Sequence, residues 1–282
     1  MKSSPFAYVR AQSVTEAIDL LERHGDDGRL LAGGQSLLPM LAYRMSSPST
    51  LIDIGRINEL RFIEQDDRVI RIGALTRHAD LETSNLIANQ LPLIARAVQN
   101  IAHSAIRNRG TIGGSLALAD PAAQLPACMI ALDATIVACG RLGERRIEAD
   151  AFFRGTYETA LSNKELLTRV EVPLAAAGTR VHFAQFSRRH GDFAIVGLAA
   201  IRSPGPEKVD PLRLVYFGCG HRATRATKTE ALLRAQNTSG HGAILNCLSH
   251  DLHPTTDLNA TAEMRLHLAA VLAERALSEL FS

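Results

Sequence analysis

The chain has 282 residues, 46% hydrophobic and 21% charged, with a formal net charge of +2, the composition of an ordinary globular protein. Scattered basic residues and the absence of Trp argue against a nucleic-acid partner. No apolar run approaches the ~18 residues of a membrane span, and Met1-Lys2-Ser3-Ser4-Pro5 does not lead into a signal peptide, so a cytoplasmic location is expected.

The length suits two domains, or one large domain with an appendage. In chain order, Thr15 to Leu21 reads as an amphipathic helix capped by Ser13 or Thr15. Arg29-Leu30-Leu31-Ala32 is a short apolar strand running into Gly33-Gly34, and Ser36 is placed to cap a helix over Leu37 to Arg44. Strands are predicted at Leu51 to Ile54 and Val69 to Ile72, then a helix over Leu91 to Ile101 with Pro92 in its first turn. A second glycine-rich segment, Gly110 to Ser115, precedes a helix over Leu125 to Leu132 and a hairpin of Thr135 to Ala138 with Arg146 to Glu148. Leu167 to Pro173 alternates as a half-buried strand, and Ala175 to Gly178 is the best boundary. Beyond it, strands at Ala194 to Ile201 and Leu212 to Phe217 flank the loop Ser203 to Pro206. Helices at Lys228 to Ala235 and Glu263 to Leu280 complete a small α+β layer.

The chemistry concentrates in two Gly-Gly pairs, each followed by a hydroxyl residue: Ala32-Gly33-Gly34-Gln35-Ser36-Leu37 and Thr111-Ile112-Gly113-Gly114-Ser115. Glycine lets backbone approach a ligand, and successive amides form an anion-binding nest, so two distant clamps suit a dinucleotide. Neither segment is G-x-G-x-x-G or a P-loop. Glycines at this density are poor material for a helix or strand interior, which marks the second segment as a turn. Asp120, before Pro121, is held extended and is a candidate partner for a ribose hydroxyl or a flavin edge. Ten histidines form no metal pattern. The four cysteines (Cys128, Cys139, Cys219, Cys247) include no C-x-x-C pair and read as structural. No nucleophile–base pair or carboxylate dyad is evident. A clamp without acid–base machinery points to a redox cofactor that carries its own chemistry.

Five segments taken together, A-G-G-Q-S-L-L-P-M-L, L-I-D-I-G-R-I-N-E-L, I-G-A-L-T-R-H, I-R-N-R-G-T-I-G-G-S-L-A-L-A-D-P and R-R-H-G-D-F-A, resemble the FAD-binding medium subunit of molybdenum hydroxylases of the carbon monoxide dehydrogenase and xanthine dehydrogenase type. The resemblance runs from about Phe6 to the C-terminus. It implies an α+β chain: an FAD-binding fold of the vanillyl-alcohol oxidase (PCMH) type over 1–175, with two α/β subdomains of about 1–55 and 56–175. A C-terminal α+β domain of antiparallel sheet and helices would follow over 176–282. It also implies partners: a large molybdenum–pterin subunit and a small subunit with [2Fe-2S] clusters, as a dimer of heterotrimers. FAD alone would reside in this chain and pass electrons to an external acceptor.

Carried over residue by residue, the resemblance places Leu30, Leu31, Ala32, Gly33, Gly34, Gln35, Ser36 and Leu37 around the pyrophosphate and adenosine, and Ile101 near the ring system. Thr111, Ile112, Gly113, Gly114 and Ser115 form the second clamp, joined by Asp120, Gln124, Leu167 and Gln185. Two positions depart from the family pattern. Gln124 stands where Asp or Glu is usual, and Gln185 where Lys is common, so a negative and a positive charge are both replaced by amides. Two other readings remain open on the residues: a self-sufficient FAD oxidoreductase, and a flavin-free assembly subunit.

Overall fold

The computed structural model describes residues 3–205, 211–236 and 240–282. Among the described residues three larger sheets follow one another along the chain, with one two-stranded hairpin beside them.

The first is parallel and small. Strand β1 (Ala7–Arg10) is followed by helix α1 (Val14–His24), β2 (Gly28–Leu31), α2 (Leu37–Ala42) and β3 (Thr50–Asp53). The order is β1-β3-β2, with Thr50 opposite both Ala7 and Gly28. The Ser13 side chain accepts from the Glu16 amide at 3.1 Å, deciding the cap in favour of Ser13, and Ala17, Ile18, Leu20 and Leu21 turn inward. β1 has no alternating apolar pattern (Tyr8 is exposed), so its strand character came from pairing and not from periodicity.

The second sheet is antiparallel. Its strands are β4 (Ile63–Gln65), β5 (Val69–Gly73), β6 (Thr135–Gly140), β7 (Gly143–Glu148) and, after a side hairpin, β10 (Leu166–Pro173). The order β4-β5-β10-β6-β7 puts the last strand at the centre, and β10 accordingly buries Leu166, Leu167, Val170 and Val172. Between β5 and β6 run α3 (His78–Thr83), α4 (Asn85–Gln90), α5 (Pro92–Val98), α6 (Ser104–Arg107), α7 (Ile112–Leu118) and α8 (Gln124–Ala131). Helix α9 (Ala149–Phe152) and the short hairpin β8 (Phe153–Gly155) and β9 (Glu158–Thr159) precede β10.

The third sheet is also antiparallel: β11 (Arg180–Phe186), β12 (Val196–Arg202), β13 (Leu212–Phe217) and β14 (Thr224–Arg225), in sequential order. Helices α10 (Thr227–Gln236), α11 (His241–Asp251) and α12 (Ala262–Leu280) cover one face. The other face meets α5 and α8. Every residue of α8 is buried, from Gln124 to Ala131, as a helix apolar all round requires. This helix is the seam between the second and third sheets, and it sets the position of Gln124.

Three local expectations are corrected. Ser36 does precede α2, but its backbone is already helical (φ −105°, ψ −46°) and its side chain makes no capping bond; the helix stops at Ala42, not Arg44. Helix α5 ends at Val98, three residues short of Ile101. Gly113 and Gly114 lie inside a helix, α7, whose Thr111 cap and close packing outweigh the poor helix propensity of glycine. Of the loop predicted from Ser203 to Pro206, Pro206 lies outside the described residues. Among the described residues no helix is long and apolar enough to cross a membrane.

Candidate functional site

Strand β2 delivers Ala32 and Gly33 to the mouth of the first turn. Gly34 takes φ +73°, which only glycine adopts without strain, and Gln35 donates from Nε2 to the Gly33 carbonyl at 3.0 Å. The chain then enters α2, whose first turn begins with Leu38 N–H to Gly34 O at 3.1 Å. Among the described residues the amides of Gly33, Gly34, Gln35 and Ser36 donate to no protein acceptor. Four consecutive unspent donors at a half-exposed turn are the composition of an anion nest.

The second segment is built differently. Thr111 Oγ1 accepts from Gly114 N at 3.1 Å, while Ile112 N and Gly113 N donate to the carbonyls of Thr76 at 3.0 Å and Ala74 at 2.9 Å. The amides of Ile112 to Ser115 are therefore spent, and the expectation of a second amide nest is corrected: the segment stands as a wall rather than a row of free donors. Gly113 is needed for contact, since a Cβ there would stand 2.6 Å from Ala74 Cβ and 2.7 Å from Ala74 O. The helix is thereby drawn onto the end of β5, and Gly114, bare of side chain, faces solvent with the Ala32 Cβ 3.9 Å from where its own would be. The two segments meet at Gly33, where a Cβ would lie 2.2 Å from the Arg109 carbonyl oxygen.

Beneath this junction His78, at the start of α3, donates its amide to Gly110 O at 2.9 Å and packs its ring against Gly110. The ring is buried, neither nitrogen has a hydrogen-bond partner, and burial pushes its pKa down to about 4, so it is neutral at physiological pH. Arg107 ties the adjoining turn: its guanidinium pairs with Glu82 at 2.7 and 3.1 Å and donates to the carbonyls of Ile101 and Ala102. Ile101 is thus held half-buried on a fixed turn.

Helix α7 leads from the junction to Asp120, which lines a cleft of about 590 Å³ bounded by the α7–α8 turn, the turn between β8 and β9 and the loops of the third sheet. Its walls include Tyr157, Arg188, Phe193, Asp257 and Arg265. Phe193 and Tyr157 are 74% and 53% exposed, so two aromatic faces stand at the rim of a space large enough for a planar ring. Arg265 is fixed, donating to Ile195 O, Gly218 O and the Asp257 carboxylate. Asp120 accepts from Ala122 N at 2.9 Å, but burial raises its pKa above the ordinary value. The cleft walls are pinned together by Gly218 N–H donating to Pro121 O at 2.8 Å.

Gln124 and Gln185, the two departures from the family pattern, lie against each other. Gln124 is 7% exposed and donates from Nε2 to Gln185 Oε1 at 3.0 Å and to Asn100 O at 3.2 Å. The candidate residues thus fall into two groups. Ala32 to Ser36 face Thr111 to Gly114, while Gln124 and Gln185 pair beside Asn100, next in the chain to Ile101, and Asp120 lines the cleft. Leu30, Leu31 and Leu37 flank the first turn as half-buried packing. Ile112 and Leu167 are buried in the core, where they support the wall and the central strand. His78, Arg107 and the cleft residues Phe193 and Arg265 were not singled out as site residues from sequence. Their only signal was membership of the segments around them. Cys128 and Cys219 are buried, Cys139 and Cys247 partly so, and among the described residues no group of His, Cys, Asp and Glu could hold a metal ion.

Comparison with known proteins adds the following. Residues 4–175 match the family model described as the FAD binding domain in molybdopterin dehydrogenase, and residues 181–280 match the CO dehydrogenase flavoprotein C-terminal domain. The chain is 42% identical over 282 residues to the 6-hydroxypseudooxynicotine dehydrogenase complex subunit alpha of Paenarthrobacter nicotinovorans, covering 99% of this chain and 95% of that protein. It is 36% identical over 277 residues to the glyceraldehyde dehydrogenase medium chain of Sulfolobus acidocaldarius, covering 97% and 98%. Among solved structures it superposes on carbon monoxide dehydrogenase from Hydrogenophaga pseudoflava lacking the Mo-pyranopterin moiety, with a TM-score of 0.95, 37% identity and coverage of 100% and 99%. Quinoline 2-oxidoreductase from Pseudomonas putida 86 gives a TM-score of 0.91 at 33% identity, covering 100% and 99%.

Proposed function

The chain belongs to the family of FAD-binding medium subunits of molybdenum hydroxylases, and from that membership we propose that it relays electrons from the [2Fe-2S] clusters of a small partner subunit, through FAD, to an external acceptor. A large molybdenum–pterin subunit completes the complex, as a cytoplasmic dimer of heterotrimers. The domains divide at 175/176, with subdomains of about 1–55 and 56–175.

The observation that carries this reading is the run of four unspent amides from Gly33 to Ser36, beside the bare wall at Gly114. Those amides take the diphosphate, with Leu30, Leu31 and Leu37 packing the adenosine side and Ser115 continuing the wall. Thr111, Ile112 and Gly113 hold that wall in place. Ile101 and Gln185 sit at the ring, Asp120 accepts from a hydroxyl or the ring edge, and Gln124 and Leu167 support them from behind. Bound FAD supplies redox chemistry that none of these side chains has. The chain's own part is to bind, to orient, and to keep the ring at the cleft between its two halves.

The purified chain, incubated with excess FAD and desalted, is expected to retain flavin absorbance that bleaches on reduction. Reduction by the co-purified partner complex, and not by small substrates added to the chain alone, separates the relay from a self-sufficient oxidoreductase. A chain that stays colourless even when co-expressed with its partners would reject FAD binding.

A further inference from the structure

The carbonyl of Asn100 can only accept, so it fixes which way the Gln124 amide faces: Nε2 points to Asn100 O, at 3.2 Å. The second hydrogen of that nitrogen goes to Gln185 at 3.0 Å, so the Gln185 atom facing Gln124 has to be its oxygen. Both Gln124 donors are then consumed, and the amide nitrogen of Gln185 is left facing away from the trio. Gln185 stands on β11 in the same row as Val181 and Phe183, the row that packs toward the second sheet and α5. Gln124 opens α8 four residues after Asp120, and Gln185 is the last but one residue of its strand, shortly before the 188–195 loop, so the bond ties together the two segments that wall the cleft.

We propose that Gln124 is a positioning residue that acts through Gln185. It locks the Gln185 amide so that a neutral N–H pair is presented to a carbonyl oxygen of the cofactor ring, and it does not itself touch the cofactor. This rests on the FAD reading above and adds to it a direction, donor and not acceptor, and a chain of command, Asn100 to Gln124 to Gln185. In a buried setting a preset donor needs no reorganisation when it is used, so fixing the amide matters as much as having it. Because the pair is neutral, it offers a carbonyl on the ring a hydrogen bond without the full positive charge of a lysine at the same place.

The test uses the full chain and its near-isosteric variants Gln124→Met, Gln185→Met and the double, read by FAD titration, midpoint potential and thermal stability. Each single variant is expected to weaken FAD binding roughly five- to tenfold, the worth of one neutral hydrogen bond, and to lower the potential. The double variant is expected to fall no further than Gln185→Met alone, because Gln124 has no effect except through Gln185. Additive losses overturn the proposal. So does a Gln124→Met chain that melts earlier yet keeps the native FAD affinity and potential, since that is a purely structural residue. If Gln124→Met does not fold, a Gln185→Met chain with unchanged affinity and potential overturns it equally. Failure of the unmodified chain to take up FAD removes the underlying reading as well, and is distinguished by needing no variant at all.

Discussion

Gly33 and Arg109, 76 positions apart by their residue numbers, approach so closely that a methyl group on Gly33 would stand 2.2 Å from the Arg109 carbonyl oxygen. Backbone on both sides leaves nothing flexible to yield. Gly33→Ala is therefore expected to force the two glycine-rich segments apart, costing about 1–3 kcal/mol of stability as overpacking does and abolishing FAD retention. Urea denaturation together with an FAD titration checks it; an alanine variant that binds normally would show that the contact is incidental.

Thr111 caps α7 through its hydroxyl, 3.1 Å from Gly114 N. Thr111→Val removes the acceptor and is expected to lose about 1 kcal/mol, while Thr111→Ser retains nearly all of it. Denaturant midpoints of the three chains decide the matter, and a loss in Thr111→Ser without one in Thr111→Val would assign the effect to packing of the methyl group.

Asp120 is held with its pKa raised by burial. A carboxyl whose folded pKa lies above its unfolded value favours folding when protonated, and that advantage is lost as pH rises from the unfolded value through the folded one. Asp120→Asn should therefore stabilise the cofactor-free chain at pH 7 relative to pH 3.5, while weakening FAD binding. Melting curves at both pH values, alongside FAD affinity, read the two effects; a variant less stable at pH 7 contradicts the sign.

His78 runs the other way. Its imidazole is depressed to about 4 in the folded chain from the ordinary 6.5, so the unfolded chain binds the proton more readily between those values. Stability is expected to fall as pH drops from 6.5 toward 4, by on the order of 3 kcal/mol from this group. His78→Phe should flatten that part of the pH profile. An unchanged slope would place the titration elsewhere.

Much of this architecture was legible because periodicity and capping act locally. Ser13, the apolar run of β10 and the helix Ala262–Leu280 all announced themselves within a dozen residues. What escaped was set by tertiary contact. Gly113 inside α7 is demanded by Ala74, which leaves no room for a Cβ, a fact recorded nowhere near Gly113 in the chain. The edge strands β1 and β11 carry little apolar alternation and exist by pairing with β3 and β12. The site divided in the same way. The glycine segments and Asp120 stood out by composition, but which segment kept its amides free depended on carbonyls at Ala74 and Thr76. Gln124 and Gln185 read as two separate losses of charge. Only their 3.0 Å bond shows that the two changes form one neutral pair.

The place of β10 at the middle of the second sheet, between β5 and β6, has a consequence for how the chain is made. A ribosome delivers β5 and then β6 before Leu166 to Pro173 emerges, and until then neither strand has its inner neighbour. The flavin-binding half cannot close during synthesis of its first 165 residues, and the glycine wall that rests on the end of β5 must wait with it. Long-range closure of this kind is slow relative to helix formation. The nascent chain thus carries two unfinished sheet edges, which makes this the interval when a chaperone is most needed.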